Sequence, residues 1–74
     1  MKKVTIQNNV FDALQAPTTQ EDNYGEINER WSLFIYDSSM GKLVKYSNGY
    51  FAIFHYIGNY VVRYDLKPNE VIFN

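Results

Sequence analysis

The sequence has no cysteine, one histidine and two prolines, and it carries neither a block of basic residues nor a long apolar run. Each shortage closes off a class of protein. Without cysteine there is no disulfide staple and no thiolate zinc site. With His55 alone, a multi-histidine metal centre within one chain is excluded. The net charge of −1 is far from the basic excess of a protein that grips duplex DNA through many phosphates. The longest apolar stretch, residues 50–57, is too short to span a bilayer and contains His55. Gln7, Asn8, Asn9, Asp12 and Gln15 break up the segment after Met1-Lys2-Lys3, so no secretory signal is read there and a cytoplasmic protein is expected.

What the chain does have is aromatic rings. Phe, Tyr and Trp make up 18% of only 74 residues. A single domain near this size buries roughly 60% of the surface that its unfolded chain exposes, so large rings are an economical way to build its core. The size leaves little room for a deep pocket with a supporting shell. Phe, Tyr, Met, Ile, Asn and Lys account for 33 residues, whereas Gly, Ala, Arg and Pro account for 11. That bias suits an AT-rich genome, such as a low-GC bacterium or one of its phages or plasmids.

Charge is unevenly spread. Residues 17–30 hold Glu21, Asp22, Glu26 and Glu29 against Arg30 alone, a local −3, while the segments on either side are slightly basic. Lys3, Thr5 and Gln7 alternate with Val4 and Ile6, which predicts a first strand. Asn9 is placed to cap a short helix over residues 10–15, with Val10, Phe11 and Leu14 on one face and Pro17 ending it. Residues 17–30 then read as an acidic loop, in which Gly25 interrupts a weak capping signal.

From Trp31 the pattern is β. Strands are expected over residues 31–36, 42–47, 50–57 and 60–66, with a short closing strand over 70–73. The turn signals between them are a bulged cluster at 37–41, Asn48-Gly49, Gly58-Asn59 and Pro68-Asn69. The expected fold is α+β and mainly β: a small antiparallel meander of four to five strands with one short N-terminal helix.

Two-residue turns at Asn48-Gly49 and Gly58-Asn59 would fix the register and sort the strands into two faces. One face, Val44, Tyr46, Phe51, Ile53, Ile57, Tyr60, Val62 and Tyr64 with His55, is the expected core. The other is mixed: Lys45 and Asp65 flank Ala52, Arg63 lies opposite Phe54 in cation–π geometry, and Tyr50 and Tyr56 add further rings. Such a face fits a sheet that is curled or covered so that both faces are buried, or a protein-binding surface, since Tyr, Phe and Arg are the residue types that carry binding energy. Sheet-borne aromatics beside cations also stack single-stranded nucleic acid. However, residues 48–54 (NGYFAIF) depart from the RNP1 pattern at three places.

His55 is expected to be a structural histidine bonded to a tyrosine hydroxyl or a backbone group, because no nucleophile, carboxylate partner, phosphate loop or metal-ligand spacing accompanies it. No cofactor, metal or catalytic residue is assigned. The sequence therefore predicts a non-enzymatic module that binds a protein, of the kind a phage or mobile element uses to inhibit or regulate a host protein. Its candidate partner-binding residues are Glu21, Asp22, Glu26, Glu29, Lys45, Tyr50, Phe54, Tyr56 and Arg63. The acidic segment would meet a basic groove; if that groove normally holds nucleic acid, the segment would act partly as a phosphate mimic. The alternatives are a single-stranded nucleic-acid binder and a homo-oligomeric structural protein.

Overall fold

In the computed structural model, which describes residues 1–17 and 21–74, the chain forms eight β-strands and one 3₁₀ turn, with no α-helix among the described residues. The strands are β1 (Lys2–Ile6), β2 (Asn9–Ala16), β3 (Glu21–Asp22), β4 (Gly25–Ile35), β5 (Ser38–Tyr46), β6 (Phe51–Ile57), β7 (Tyr60–Leu66) and β8 (Val71–Phe73). The order across the sheet is β7-β6-β5-β4-β2-β1-β8, and β3 pairs separately with the start of β4. Every pairing is antiparallel. The α+β meander of four to five strands is thereby corrected to an eight-stranded, curled, all-β sheet.

The expected helix over residues 10–15 is strand β2. Gln7 and Asn8 both take positive φ (50° and 67°), the backbone of a two-residue type I′ turn, and fold the chain straight back onto β1. Phe11 and Ala13 then point inward while Val10 and Leu14 remain exposed. Alternation of period two therefore governs this segment, and its helical spacing is incidental. A six-residue helix would also have to meet nucleation without packing enough surface to offset it.

The acidic loop expected over 17–30 is also largely strand, since β3 and the first half of β4 form a hairpin that we call the arm. Asp22-Asn23-Tyr24-Gly25 is its turn, with Asp first and Gly fourth as a type I turn prefers. The Asp22 carboxylate accepts hydrogen bonds from the Tyr24 and Gly25 amides at 2.8 and 3.1 Å. Residues 18–20 of that expected loop lie outside the described residues.

The Gly58-Asn59 turn has the expected register, from Ile57 opposite Tyr60 to Ala52 opposite Asp65. The Asn48-Gly49 turn does not. Tyr46 N–H donates to the Tyr50 carbonyl, so three residues form the loop, and Gly49 takes the left-handed position at φ +91°. Lys45 thus faces Phe51 and Val44 faces Ala52, one residue away from the expected pairing. A slip of one flips every side chain of a strand. Leu43, fully buried, goes into the core with Phe51 and Ile53, while Val44 and Tyr46 move to the other face. The turn expected at 37–41 sits at Tyr36-Asp37 instead, and Met40 is the extra residue of a bulge.

The inner face of the curl holds the main core: Val4, Ile6, Phe11, Ala13, Trp31, Leu33, Leu43, Phe51, Ile53, Leu66 and Val71. Trp31 packs on Phe73 with centroids 4.9 Å apart, and Phe51 closes the cluster at 6.3 and 6.4 Å. Curvature is concentrated on β4–β5, where two bulges, at Asn28 and Met40, interrupt the ladder. The outer face carries a second, smaller cluster of Val44, Tyr46 and Ala52 with Ile27 and Phe54. No helix among the described residues is long and apolar enough to cross a membrane.

Candidate functional site

The outer cluster is where the candidate residues meet. Strand alternation on β6 and β7 puts Phe54 and Arg63 on this face as cross-strand partners, as the sequence predicts. The corrected β5 register adds Tyr46 beside them. The arm then folds over the group, and Arg63 Cζ lies over the Tyr24 ring, 3.6 Å from its centroid. Tyr46 and Phe54 sit further off at 5.8 and 5.9 Å.

A chain of polar contacts runs through this stack. Arg63 donates through NH2 to the Tyr46 hydroxyl at 3.1 Å and through NH1 to Asp65 at 2.7 Å. The Tyr46 hydroxyl donates in turn to Asp22 at 2.7 Å. The Arg63 side chain is only 17% exposed, whereas that of Asp65 is 80% exposed, so the Asp65 pair is screened and adds little. Arg63 Nε is buried and finds no acceptor among the described residues. The clasp therefore rests on the Tyr24 stack and the Arg63–Tyr46–Asp22 hydrogen bonds.

Ionisation follows from these contacts. Burial raises the Asp22 pKa, but the bonds from Tyr46, Tyr24 N–H and Gly25 N–H, with the Arg63 charge, outweigh it and hold the carboxyl below its ordinary value. Burial pushes the Tyr46 hydroxyl up, helped by its bond to Asp22 and opposed by Arg63. Because the folded Asp22 pKa is depressed, its contribution is complete above the ordinary carboxylate pKa and is lost as pH falls through the folded value. Acidification below the ordinary carboxylate range is expected to raise amide hydrogen exchange in residues 21–29 before it does so in β6. Uniform loss of protection in both segments would contradict that order.

No protein-family model matches this chain, and no curated protein or solved structure matches it. The functional reading rests on the site itself.

The remaining candidates scatter. Glu21 and Glu26 face each other across the arm as direct cross-strand partners, both exposed, and Glu26 also accepts from the Ser47 hydroxyl at 2.9 Å. Glu29 and Lys45 are on the inner side, in an open groove of about 240 Å³ with Lys2, Trp31, Phe51 and Phe73. There Lys45 Nζ lies over the Phe51 ring at 5.6 Å, and Gln15 donates to Glu29 at 3.1 Å. Lys45 therefore does not flank Ala52 beside Asp65; Val44 takes that place, and the Asp65 carboxylate accepts from Arg63. Tyr50 is exposed beside the 47–49 loop, and Tyr56 is half-buried opposite Val61.

His55 pairs with Val62 and is half-buried on the inner face, beside Ile53 and Tyr64. It makes no side-chain hydrogen bond to the described residues, so the tyrosine or backbone partner expected for it is not found there.

Sequence reasoning missed four participants. Tyr46 is assigned to the core by the mistaken register, and Tyr24 carries no signal until the arm is recognised. Arg30 and Lys42 were not singled out. They rim an apolar outer groove of about 210 Å³, floored by Ile27, Val44 and Phe54 and closed on one side by Asp22. The Asp22–Gly25 turn signature was the one available clue to the arm.

Proposed function

We propose that the protein is a small non-enzymatic binding module that acts by occupying a partner protein, as an inhibitor or regulator does. The supporting observation is the opposed pair Glu21–Glu26 on an arm clamped to the sheet through Tyr24, Asp22 and Arg63. Like charges directly opposite each other in a sheet are destabilising. Holding them on a fixed arm makes sense when a cationic surface arrives to neutralise both. Preorganisation also lowers the entropy lost on docking. Ile27, Val44 and Phe54 beside the arm supply apolar area, and Arg30 and Lys42 supply a rim for acidic or carbonyl groups.

The single-stranded nucleic-acid reading, which set Lys45 and Arg63 together beside Tyr50, Phe54 and Tyr56, has less in its favour: Lys45 lies on the inner face and Arg63 on the outer, and Phe54 is half-buried beneath the arm's clasp.

Affinity capture from the source cell, followed by mass spectrometry, is the test. The native protein should retain a partner with a basic surface, and retention should fall as salt rises. A Glu21→Lys, Glu26→Lys variant should lose at least about tenfold in affinity for that partner, with most of the loss in association rate. Equal retention by the native and charge-reversed proteins would remove the arm from the interface.

A further inference from the structure

Strand β7 is an edge of the sheet: it pairs with β6 on one side and, among the described residues, with no strand on the other. Edge strands in soluble proteins are guarded by shortness, proline, an inward charge, lysine or a bulge. The opposite edge, β8, is three residues long. By contrast β7 runs seven residues, YVVRYDL, in an unbroken register with β6, without proline or lysine. Tyr60 is 75% exposed, Val61 60% and Tyr64 47%, so the strand exposes apolar surface on each face, beside the charged pair Arg63 and Asp65 on the outer one.

Backbone geometry decides which groups are free. Ile57 and Tyr60 flank a two-residue turn and exchange hydrogen bonds, so Tyr60, Val62 and Tyr64 bond back to β6. The N–H and C=O groups of Val61, Arg63 and Asp65 are therefore directed outward. An incoming antiparallel strand must use them.

We propose that this edge is occupied by β7 of a second copy of the chain, as an antiparallel pair with its two-fold axis at Val62. In that register Tyr60 lies opposite Tyr64 of the partner copy, Val61 opposite Arg63, and Val62 opposite Val62, so the sheets join into one. The tyrosine pairs fall at non-hydrogen-bonded positions, where side chains approach most closely and aromatic pairs stabilise a sheet. Val61 meets the apolar stem of arginine, and Asp65 comes level with Asn59, so no like charges meet.

The neighbouring symmetric registers are worse. Centring on Arg63 sets two guanidinium groups face to face. Centring on Tyr64 pairs Arg63 with Asp65 of the second copy, but it leaves Tyr60 uncovered and brings Val61 to Lys67, whose N–H is already given to the Glu70 carboxylate at 2.8 Å. The strand is thus self-complementary about Val62, as a two-fold interface requires. This pairing adjoins Arg63, which anchors the arm, but not Glu21 or Glu26, so it leaves the acidic pair free and presents two copies of it.

Because the chain has no cysteine, one introduced thiol gives an unambiguous readout. Val62→Cys places two thiols opposite each other at a non-hydrogen-bonded pair, a Cα separation of about 4.5 Å that a disulfide can bridge. The expected result is a disulfide-linked dimer under mild oxidation, while Tyr64→Cys cross-links at least about tenfold more slowly because its Cα sits two residues off the axis. Sedimentation velocity of the native protein should show a species of twice 8.7 kDa. Val61→Pro removes one outward N–H without touching the bonds to β6 and should return the protein to monomer with its fold intact. A native monomer at about 1 mM, where even a weak dimer with a Kd near 0.1 mM is mostly associated, would overturn the proposal. So would a dimer that survives Val61→Pro, or cross-linking that favours Tyr64→Cys. Should Val61→Pro fail to fold, the two cysteine variants decide. The Glu21→Lys, Glu26→Lys protein should sediment like the native one, so failure of the partner reading and failure of this pairing are told apart.

Discussion

Replacing Gly41 with alanine should unfold the protein or bring it close to unfolding. Gly41 sits inside β5 at φ +141°, a conformation that side chains rarely adopt. A Cβ there would fall on the backbone carbonyl oxygen of Phe54, with the Phe54 carbonyl carbon at 3.0 Å and His55 Cα at 3.1 Å. That carbonyl cannot retreat, because β6 is held on both sides by β5 and β7. The backbone strain alone is worth about 1–3 kcal/mol, and the clash adds to it. A chain of 74 residues has a total stability of about 4–11 kcal/mol. A loss of about 3 kcal/mol corresponds to a melting temperature lower by about 12–24 °C. Gly49→Ala separates the two effects: its φ is +91°, yet nothing lies within 4 Å of the added Cβ. It should lose only the strain, about 1–2 kcal/mol. Thermal unfolding of both variants by circular dichroism is the measurement, and equal destabilisation would show that the Phe54 contact is not what matters.

Arg63→Met should release the arm while leaving the sheet folded. Methionine keeps an apolar stem over Phe54 but removes the cation from beneath Tyr24 and the donor to Tyr46. A cation–π contact to a ring as exposed as Tyr24 is worth about 0.5–1 kcal/mol, and a hydrogen bond from a charged donor about 1.5–3 kcal/mol. Freeing Nε from an unpartnered burial offsets part of that, so a net loss of about 2–3 kcal/mol is expected. Amide hydrogen exchange should locate it: protection should collapse in residues 21–25 and persist in β6 and at Leu43. Arg63→Lys should not restore the arm, since an ammonium cannot lie flat on the Tyr24 ring while also reaching Tyr46. Unchanged protection of the arm in Arg63→Met would show that the Tyr46–Asp22 bond holds it without help.

How much of this was legible in the sequence depended on how well each turn specified its own length. Gly58-Asn59 allowed one reading, and every pairing of β6 with β7 followed, including Phe54 beside Arg63. Asn48-Gly49 is compatible with two loop lengths, and the longer one was adopted. Hydrophobicity could not correct the choice. Val44 and Tyr46 look more core-like than Leu43 and Lys45, yet the arm covers Val44 and Tyr46 on the outer face. In β2 the inward alanine, Ala13, hid the alternation, and the exposed Val10 and Leu14 imitated a helical stripe. The acidic segment gave the right charges without its shape. Asp22 becomes part of the clasp only once Tyr24 and Tyr46 are brought to Arg63, from positions far apart in the chain.

The pairing of β8 with β1 has a consequence for how the chain acquires its structure. Most other ladders join strands that follow each other directly, so they can zip from local turns in microseconds. The contact of Val4 with Phe73 instead spans nearly the whole chain, and it is this contact that sets Phe73 against Trp31. Closing so large a loop is entropically unfavourable and comes late. Folding should therefore run in two tempos, with hairpins first and the seam at β8 last. During the interval the Trp31 ring waits in water for Phe73 to arrive, which makes tryptophan fluorescence the natural clock for the slower step.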